Sequence, residues 1–156
     1  MNIPDHLAQT ILSTESDAIL IADRDGIIRF WNAGAVRIFG FASAEAIGQS
    51  LDLIIPEALR ARHWEGYRRV MVDGNTRYGS GDVLAVPAMS KDGRRISVEF
   101  TIIILRDDGG GLTGVGAILR DVTARFEEVR TLKRRVSDLE RSSKDQAITD
   151  LQPKPT

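Results

Sequence analysis

Two histidines and no cysteine limit the chemistry that this chain can perform. The histidines are His6 and His63, and cysteine is absent from all 156 residues. Without thiols there are no disulfides, thiolate nucleophiles or zinc fingers, and two histidines are too few for a multi-histidine metal centre. Any metal or acid–base chemistry based on imidazole therefore depends on one of these two side chains.

His63 belongs to a segment with the pattern of an amphipathic helix. Pro56 precedes this segment and Gly74 follows it, which predicts a helix from Glu57 to Asp73. At about 100° per residue, one arc of the helix is apolar and aromatic, interrupted only by Arg60. The members of that arc are Leu59, His63, Trp64, Tyr67, Val70 and Met71. Because His63 lies near its centre, we expect the imidazole to point into the protein interior.

The sequence lacks the motifs of common catalytic sites. It contains neither a Gly-x-Ser-x-Gly elbow nor a Walker phosphate loop. The glycine-rich run 109–116 leads into a predicted strand, so no helix N-terminus follows it to bind a phosphate. We therefore predict that the chain is not an enzyme.

The elements that must position His63 follow from hydrophobic periodicity and turn residues. Asp-Gly pairs predict hairpin turns at 23–26 and 91–94, and Asn32 can cap a helix that ends at Gly40. Pro87 places its strand near an edge. The predicted strands are Ala18–Asp23, Ile27–Trp31, Val83–Met89, the alternating run 96–102, and Leu112–Asp121. With helices at 3–13 and in the middle of the chain, this order predicts an α+β fold: a five-stranded antiparallel sheet with helices on one face.

A different pattern begins after Asp121. Four apolar residues at spacings of three, four and three form an a/d seam, which predicts a parallel coiled coil. They are Val129, Leu132, Val136 and Leu139. The flanking g and e positions pair with opposite charge between two copies, Glu128 with Lys133 and Arg135 with Glu140. The sequence therefore predicts a homodimer through this amphipathic helix.

Composition and charge are those of an ordinary globular protein. Hydrophobic residues make up 42% and charged residues 28%, and the net charge is −1. Such a balance gives no field that would attract nucleic acid or an anionic membrane, and no apolar run is long enough to span a bilayer. With no cysteine and no signal peptide, we expect a cytoplasmic location, without direct nucleic-acid or membrane binding.

Three segments together resemble the PAS family of sensory domains. They are DAILIADRDGIIRFWNAGAVRIFGFASAEAIG, KDGRRISVEFTI and RDVT, in that order, and the resemblance covers 17–123. It implies a PAS fold with a cavity between the sheet and the long helix. PAS domains are sensory and dimerisation modules that usually feed a kinase, cyclase or DNA-binding output, and some bind haem, flavin or small metabolites.

The helix of His63 resembles that of oxygen-sensing haem PAS kinases. In those proteins a histidine seven residues after the proline binds iron, and an arginine six residues later lies near a propionate. His63 and Arg69 stand at those positions in PEALRARHWEGYRRVMVDG. The resemblance makes His63 a candidate ligand of haem b iron. The expected cavity lining is His63, Tyr67, Arg69, Val70, Phe100, Ile102 and Ile118, with Met89 as a sixth-ligand candidate.

Other interpretations of this site remain open. His63 can be a core histidine bonded to a backbone carbonyl, or it can donate to an organic ligand. The kinases' oxygen-holding arginine has no counterpart at Gly81 or Asp82. Cysteine-linked flavin and cinnamoyl chromophores are excluded because the chain has no cysteine.

The expected organisation is a helical cap at 1–16, a PAS domain at 17–123, a signalling helix at 124–145 and a disordered tail at 146–156. Resemblance makes Asp121 and Thr123 the junction that relays the state of the cavity to the helix, while capping of that helix is their simpler role. The predicted function is ligand sensing coupled to an effector protein or a missing output domain. The alternative is a ligand-free dimerisation module.

Overall fold

The computed structural model describes residues 3–76 and 84–151. Five strands and five α-helices occur in these ranges. In chain order they are α1 (Ile3–Leu12), β1 (Ala18–Asp23), β2 (Ile28–Trp31), α2 (Ala33–Phe39), α3 (Ser43–Ala46), α4 (Glu57–Asp73), β3 (Leu84–Met89), β4 (Arg95–Arg106), β5 (Leu112–Asp121) and α5 (Thr123–Asp150). A single 3-10 turn, Leu51–Leu53, precedes α4. None of the helices described is long and apolar enough to cross a bilayer.

The five strands form one antiparallel sheet in the order β2-β1-β5-β4-β3. This confirms the predicted sheet, including the edge position of the strand that contains Pro87, where a missing amide proton costs least. Val83, the predicted first residue of that strand, lies outside the described residues. The strand begins at Leu84.

The core lies between one face of the sheet and the helices α2, α3 and α4. Residues opposite each other in the register share a face, so Leu20, Trp31 and Ala117 lie on the same side. From the helices Ile38, Phe39, Ala46, Tyr67 and Met71 join this core, and Phe39 is fully buried. The inner face of the sheet therefore determines which strand residues can reach α4.

The buried side chain of Asn32 links the N-terminal end of α2 to β1 and to the segment before β1. It is only 5% exposed, and its Oδ1 accepts hydrogen bonds from the amides of Ile19 (2.8 Å) and Ala35 (2.9 Å). Its Nδ2 donates to the carbonyls of Thr14 (2.9 Å) and Asp17 (3.0 Å). The predicted helix cap is confirmed, and the same side chain also links α2 to β1 and to the segment before it.

The chain divides into two compact units, Met1–Val122 and Thr123–Thr156. The second unit is built on α5, which runs to Asp150 and so corrects the predicted disorder at 146–150. Lys144, Gln146 and Ala147 are strong helix formers, and Gln146 Nε2 donates to Asp150 Oδ1 at 3.1 Å. Residues 152–156 of the predicted tail lie outside the described residues.

Candidate functional site

Side-chain hydrogen bonds near its start, its middle and its end hold α4 in place over the sheet. The indole Nε1 of Trp64 donates to Asp52 Oδ1 at 2.8 Å, which links the helix to the preceding 3-10 turn. The Tyr67 hydroxyl donates to the carbonyl oxygen of Asp23, the last residue of β1, at 2.5 Å. Arg106 donates to the carbonyl of Gly74 (2.8 Å), at the helix end. The helix is thus fixed at three points by polar contacts that leave its apolar arc facing inward.

His63 lies among aromatic rings, with a buried nitrogen that has no hydrogen-bond partner. Its ring centroid is 4.9 Å from that of Trp64, edge to face, and 5.8 Å from that of Tyr67. Within the described residues, Nδ1 is the only buried side-chain nitrogen or oxygen without a partner. Burial lowers the pKa of His63, and the Asp52 carboxylate opposes that shift only in part. Burial therefore favours the neutral imidazole, whose Nδ1 has no hydrogen-bond partner among the described residues.

The wall opposite α4 is the inner face of β4 and β5. Phe100 is paired with Leu119 and Ile102 with Ala117, so all four share one face. Phe100 and Ala117 pack against the core while staying partly exposed. Val70 of α4 packs against the same core. Of the predicted lining residues, Tyr67, Val70 and Phe100 thus belong to or pack against one core, and Ile102 lies on the same sheet face as Phe100.

Two predicted contributors lie on the other face of the sheet. Ile118 is paired with Ile19 and with Thr101, one position out of phase with Ala117 and Leu119. A step of one residue along a strand reverses the face, so Ile118 does not share the inner face with Ala117 and Leu119. The same alternation excludes Met89 as a sixth ligand on the inner face. Its neighbour Ala88 is the residue buried in the core, so Met89 lies on the outer face.

Arg69 lies on the exposed side of α4. Its guanidinium forms an ion pair with Glu65 at 3.0 Å, one turn earlier on the helix. The structure does not bring Arg69 to the interior, because its side chain lies at the surface. Gly81 and Asp82 lie outside the described residues.

The two junction residues belong to different units. Asp121 is the last residue of β5 and pairs with Val98, while Thr123 is the first residue of α5. Between them, the Val122 amide donates to the carbonyl of Ser97 at 2.9 Å, which extends the strand pairing by one residue. The strand therefore continues to the residue directly before α5.

Sequence reasoning missed the anchors of α4. Asp52 and Asp23 accept from residues 12 and 44 positions away, so helical or strand periodicity could not reveal either contact. The available signal was chemical, because a buried Tyr or Trp almost always needs a partner for its polar atom. Nor was Gly26 expected to touch α4.

Gly26 makes room for the Trp64 ring, which gives the first prediction. A Cβ at Gly26 would lie 2.2 Å from Trp64 Cη2, and the residue has φ +76°. Gly48 has φ +89° but no atom near its Cβ position, so Gly48→Ala measures backbone strain alone. We expect Gly48→Ala to lower the unfolding free energy by about 1 kcal/mol and Gly26→Ala by roughly 3 kcal/mol, because the held indole must move.

Urea denaturation of both variants checks this, with tryptophan emission as a second readout. If the two variants lost the same unfolding free energy, displacement of the Trp64 ring would add no cost to the backbone strain.

Comparison with known proteins extends these observations. A family model described as the PAS fold matches residues 12–127. Sensor protein FixL of Bradyrhizobium diazoefficiens is 28% identical over 92% of this chain, and oxygen sensor protein DosP of Escherichia coli K12 is 30% identical over 80%. The chain spans only 28% and 15% of those two proteins.

A solved structure supports the same assignment at the level of the fold. The PAS domain of a protein from Colwellia psychrerythraea superposes with a TM-score of 0.67 and 21% identity, covering 79% of this chain and 99% of that domain. The sheet order, the helix over its inner face and the family match agree. The chain belongs to the PAS family.

Proposed function

We propose that this chain is a sensory PAS module that would hold haem b between α4 and the inner face of β4 and β5, with His63 as the residue that would bind the iron. The observation that carries the proposal is the buried Nδ1 of His63, which has no hydrogen-bond partner in the described residues. A buried polar atom without a partner is costly. With its proton on Nε2, the neutral imidazole would offer the Nδ1 lone pair to a ligand that supplies the missing contact.

The residues around His63 fit such a group. The porphyrin itself provides four nitrogens to the iron, so a single histidine would suffice to hold a haem. In the described residues no cluster of three His, Asp or Glu side chains could hold a metal ion unaided. Phe100, Ala117 and Val70 supply an apolar wall that remains partly exposed. When bound, haem iron supplies a site for a diatomic gas.

Neighbouring side chains hold the imidazole of His63, the proposed iron ligand, in one orientation. The Trp64 ring meets the imidazole edge to face, and its own position is fixed by the hydrogen bond to Asp52. The Tyr67 ring lies 5.8 Å from the imidazole and 5.5 Å from the Trp64 ring, so it is a neighbour of both, and its hydroxyl is fixed by Asp23. Two rings that are themselves held by hydrogen bonds restrict rotation of His63, which a pre-organised ligand requires. Burial keeps the imidazole neutral, the form that binds iron.

The relatives support a sensory role. DosP is named an oxygen sensor and FixL a sensor protein. Because this chain spans a small part of each, its output is a proposal as well: α5 relays the state of the cavity to an effector protein or to an output domain such as a kinase, cyclase or transcription regulator.

The near-ultraviolet and visible absorption spectrum of freshly purified protein, before and after added haemin, tests this function. We expect a sharp Soret band and an endpoint at one haemin per chain. Loose uptake without an endpoint would contradict the proposal and favour the ligand-free dimerisation module. A colour without a Soret band would indicate a flavin or another organic ligand held near His63.

We also propose that the protein is a homodimer through α5, which gives the second prediction. Val129, Leu132, Val136 and Leu139 are all exposed within one chain, so the a/d seam is open for a partner. Leu132→Lys together with Val136→Lys should give a folded monomer, because buried like charges face each other across the seam. Light scattering measures the mass, and circular dichroism checks folding. An unchanged dimer would place the interface elsewhere.

The third prediction concerns the proposed junction. Thr123→Ala should lower the unfolding free energy by at most ~1 kcal/mol, the usual cost of a lost cap. If Asp121 and Thr123 relay the signal, the variant should lose any haem-dependent change in the proteolysis of α5. A collapse of the melting temperature would instead assign Thr123 a structural role.

A further inference from the structure

The end of α5 carries a second apolar group that the a/d seam does not include. Ala147, Ile148 and Leu151 follow Leu139 after a polar interval, and Ile148 and Leu151 are exposed at 61% and 83%. The helix is continuous from Thr123 to Asp150, so Ala147 and Ile148 lie on the same helix as the seam, and Leu151 directly follows its last residue. A 28-residue helix with no buried residue needs a packing partner along its length.

Continuing the heptads beyond Leu139 would bury the wrong residues. The next a and d positions are Ser143, Gln146 and Asp150. Gln146 and Asp150 are exposed and hydrogen-bonded to each other at 3.1 Å, so each already satisfies the other at the surface. Burying Asp150 against its copy would place two carboxylates together without a counter-charge. Ile148 would then lie about 180° from the interface.

Steps of four residues fit the same stretch. From Leu139 they reach Ser143, Ala147 and Leu151, and they bring Ile148 to the flank of the contact. Val136 and Ala147 are then 11 residues apart. An 11-residue repeat reverses the drift of a heptad seam, and the extra four residues unwind the left-handed supercoil locally.

We propose that α5 pairs in parallel with the α5 of a second copy through heptads up to Leu139, and from Ser143 onward through Ala147 and Leu151 at four-residue spacing. The occupant is a second copy because the flanking charges of the first two heptads, Glu128 with Lys133 and Arg135 with Glu140, match between identical helices. This inference rests on the homodimer proposed above. It places a change of supercoil at Ser143, where small side chains allow close approach.

Single-cysteine cross-linking of the full chain tests the register, since no native cysteine interferes. A disulfide forms only where the two Cα atoms come within about 7 Å. Leu139→Cys is the positive control and Arg134→Cys, on the outer side of the heptad, the negative one. The informative pairs are Ala147→Cys against Gln146→Cys and Leu151→Cys against Asp150→Cys.

Under mild oxidation we expect positions 139, 147 and 151 to cross-link roughly tenfold faster than 134, 146 and 150. Faster linking at 146 and 150 would overturn the inference and extend the heptads, while the homodimer would stand. Linking at 139 with none beyond it would also overturn the inference, because the seam would end there. Absence of linking at 139 would contradict the homodimer itself.

Discussion

Asn32→Ala should lower the unfolding free energy by about 3 kcal/mol and the melting temperature by roughly 10 °C. The substitution removes the cap of α2, worth about 1 kcal/mol, and leaves the Ile19 amide and the carbonyls of Thr14 and Asp17 without their side-chain partner. The site is 5% exposed, so water replaces these bonds poorly. Thermal and urea denaturation measure the loss.

Asn75→Ala is the matched control for this prediction. Asn75 is exposed and makes one long side-chain contact, to the Asp73 carbonyl at 3.4 Å. Its removal should change the unfolding free energy by less than about 0.5 kcal/mol. If Asn32→Ala cost no more than Asn75→Ala, the link between β1 and α2 would not depend on this side chain.

His63→Ala should weaken haemin binding by at least ~100-fold, the loss expected when an iron site loses its protein ligand. The reason is geometric, because the other histidine, His6, lies exposed on α1. His6→Ala is therefore the control and should bind haemin as the unmodified protein does. Soret titrations of the three proteins provide the comparison. Equal affinities would show that an apolar cavity takes up haemin without ligation, and His63 would then be an ordinary buried histidine.

The sequence was sufficient to predict α4 to the residue. Pro56 is the N-cap of the helix and Gly74, in the left-handed conformation, is its C-cap. The apolar residues between them repeat at helical spacing. For the same reason Asn32 and Gly40 bounded α2 correctly. Helix ends that are set by residues of this kind can be predicted without knowing the rest of the fold.

The sequence could not predict which residues of β5 face the core. Its run LTGVGAILRD carries apolar residues in both phases around Ala117 and Ile118, so alternation gives no direction. Only the register with β1 and β4 shows that Ile118 shares the outer side with Ile19. β4 was easier, because Ile96 and Val98 alternate with polar residues.

The sequence could not predict the long-range hydrogen bonds either. The Trp64–Asp52 and Tyr67–Asp23 pairs depend on how the helix lies over the sheet. They also fix both aromatic rings that contact His63, which is the support that the proposed iron ligand requires. The sequence predicted the imidazole and its direction, and the fold supplied the parts that hold it.

Chemical rescue of His63→Gly by imidazole tests the central claim most directly. The glycine variant removes the ligand and leaves space for a free imidazole beside Trp64 and Tyr67. We predict that haemin binding and the Soret position of the unmodified protein are lost in His63→Gly and return when excess imidazole is added. Haemin binding by His63→Gly that equals that of the unmodified protein without imidazole would contradict ligation by His63.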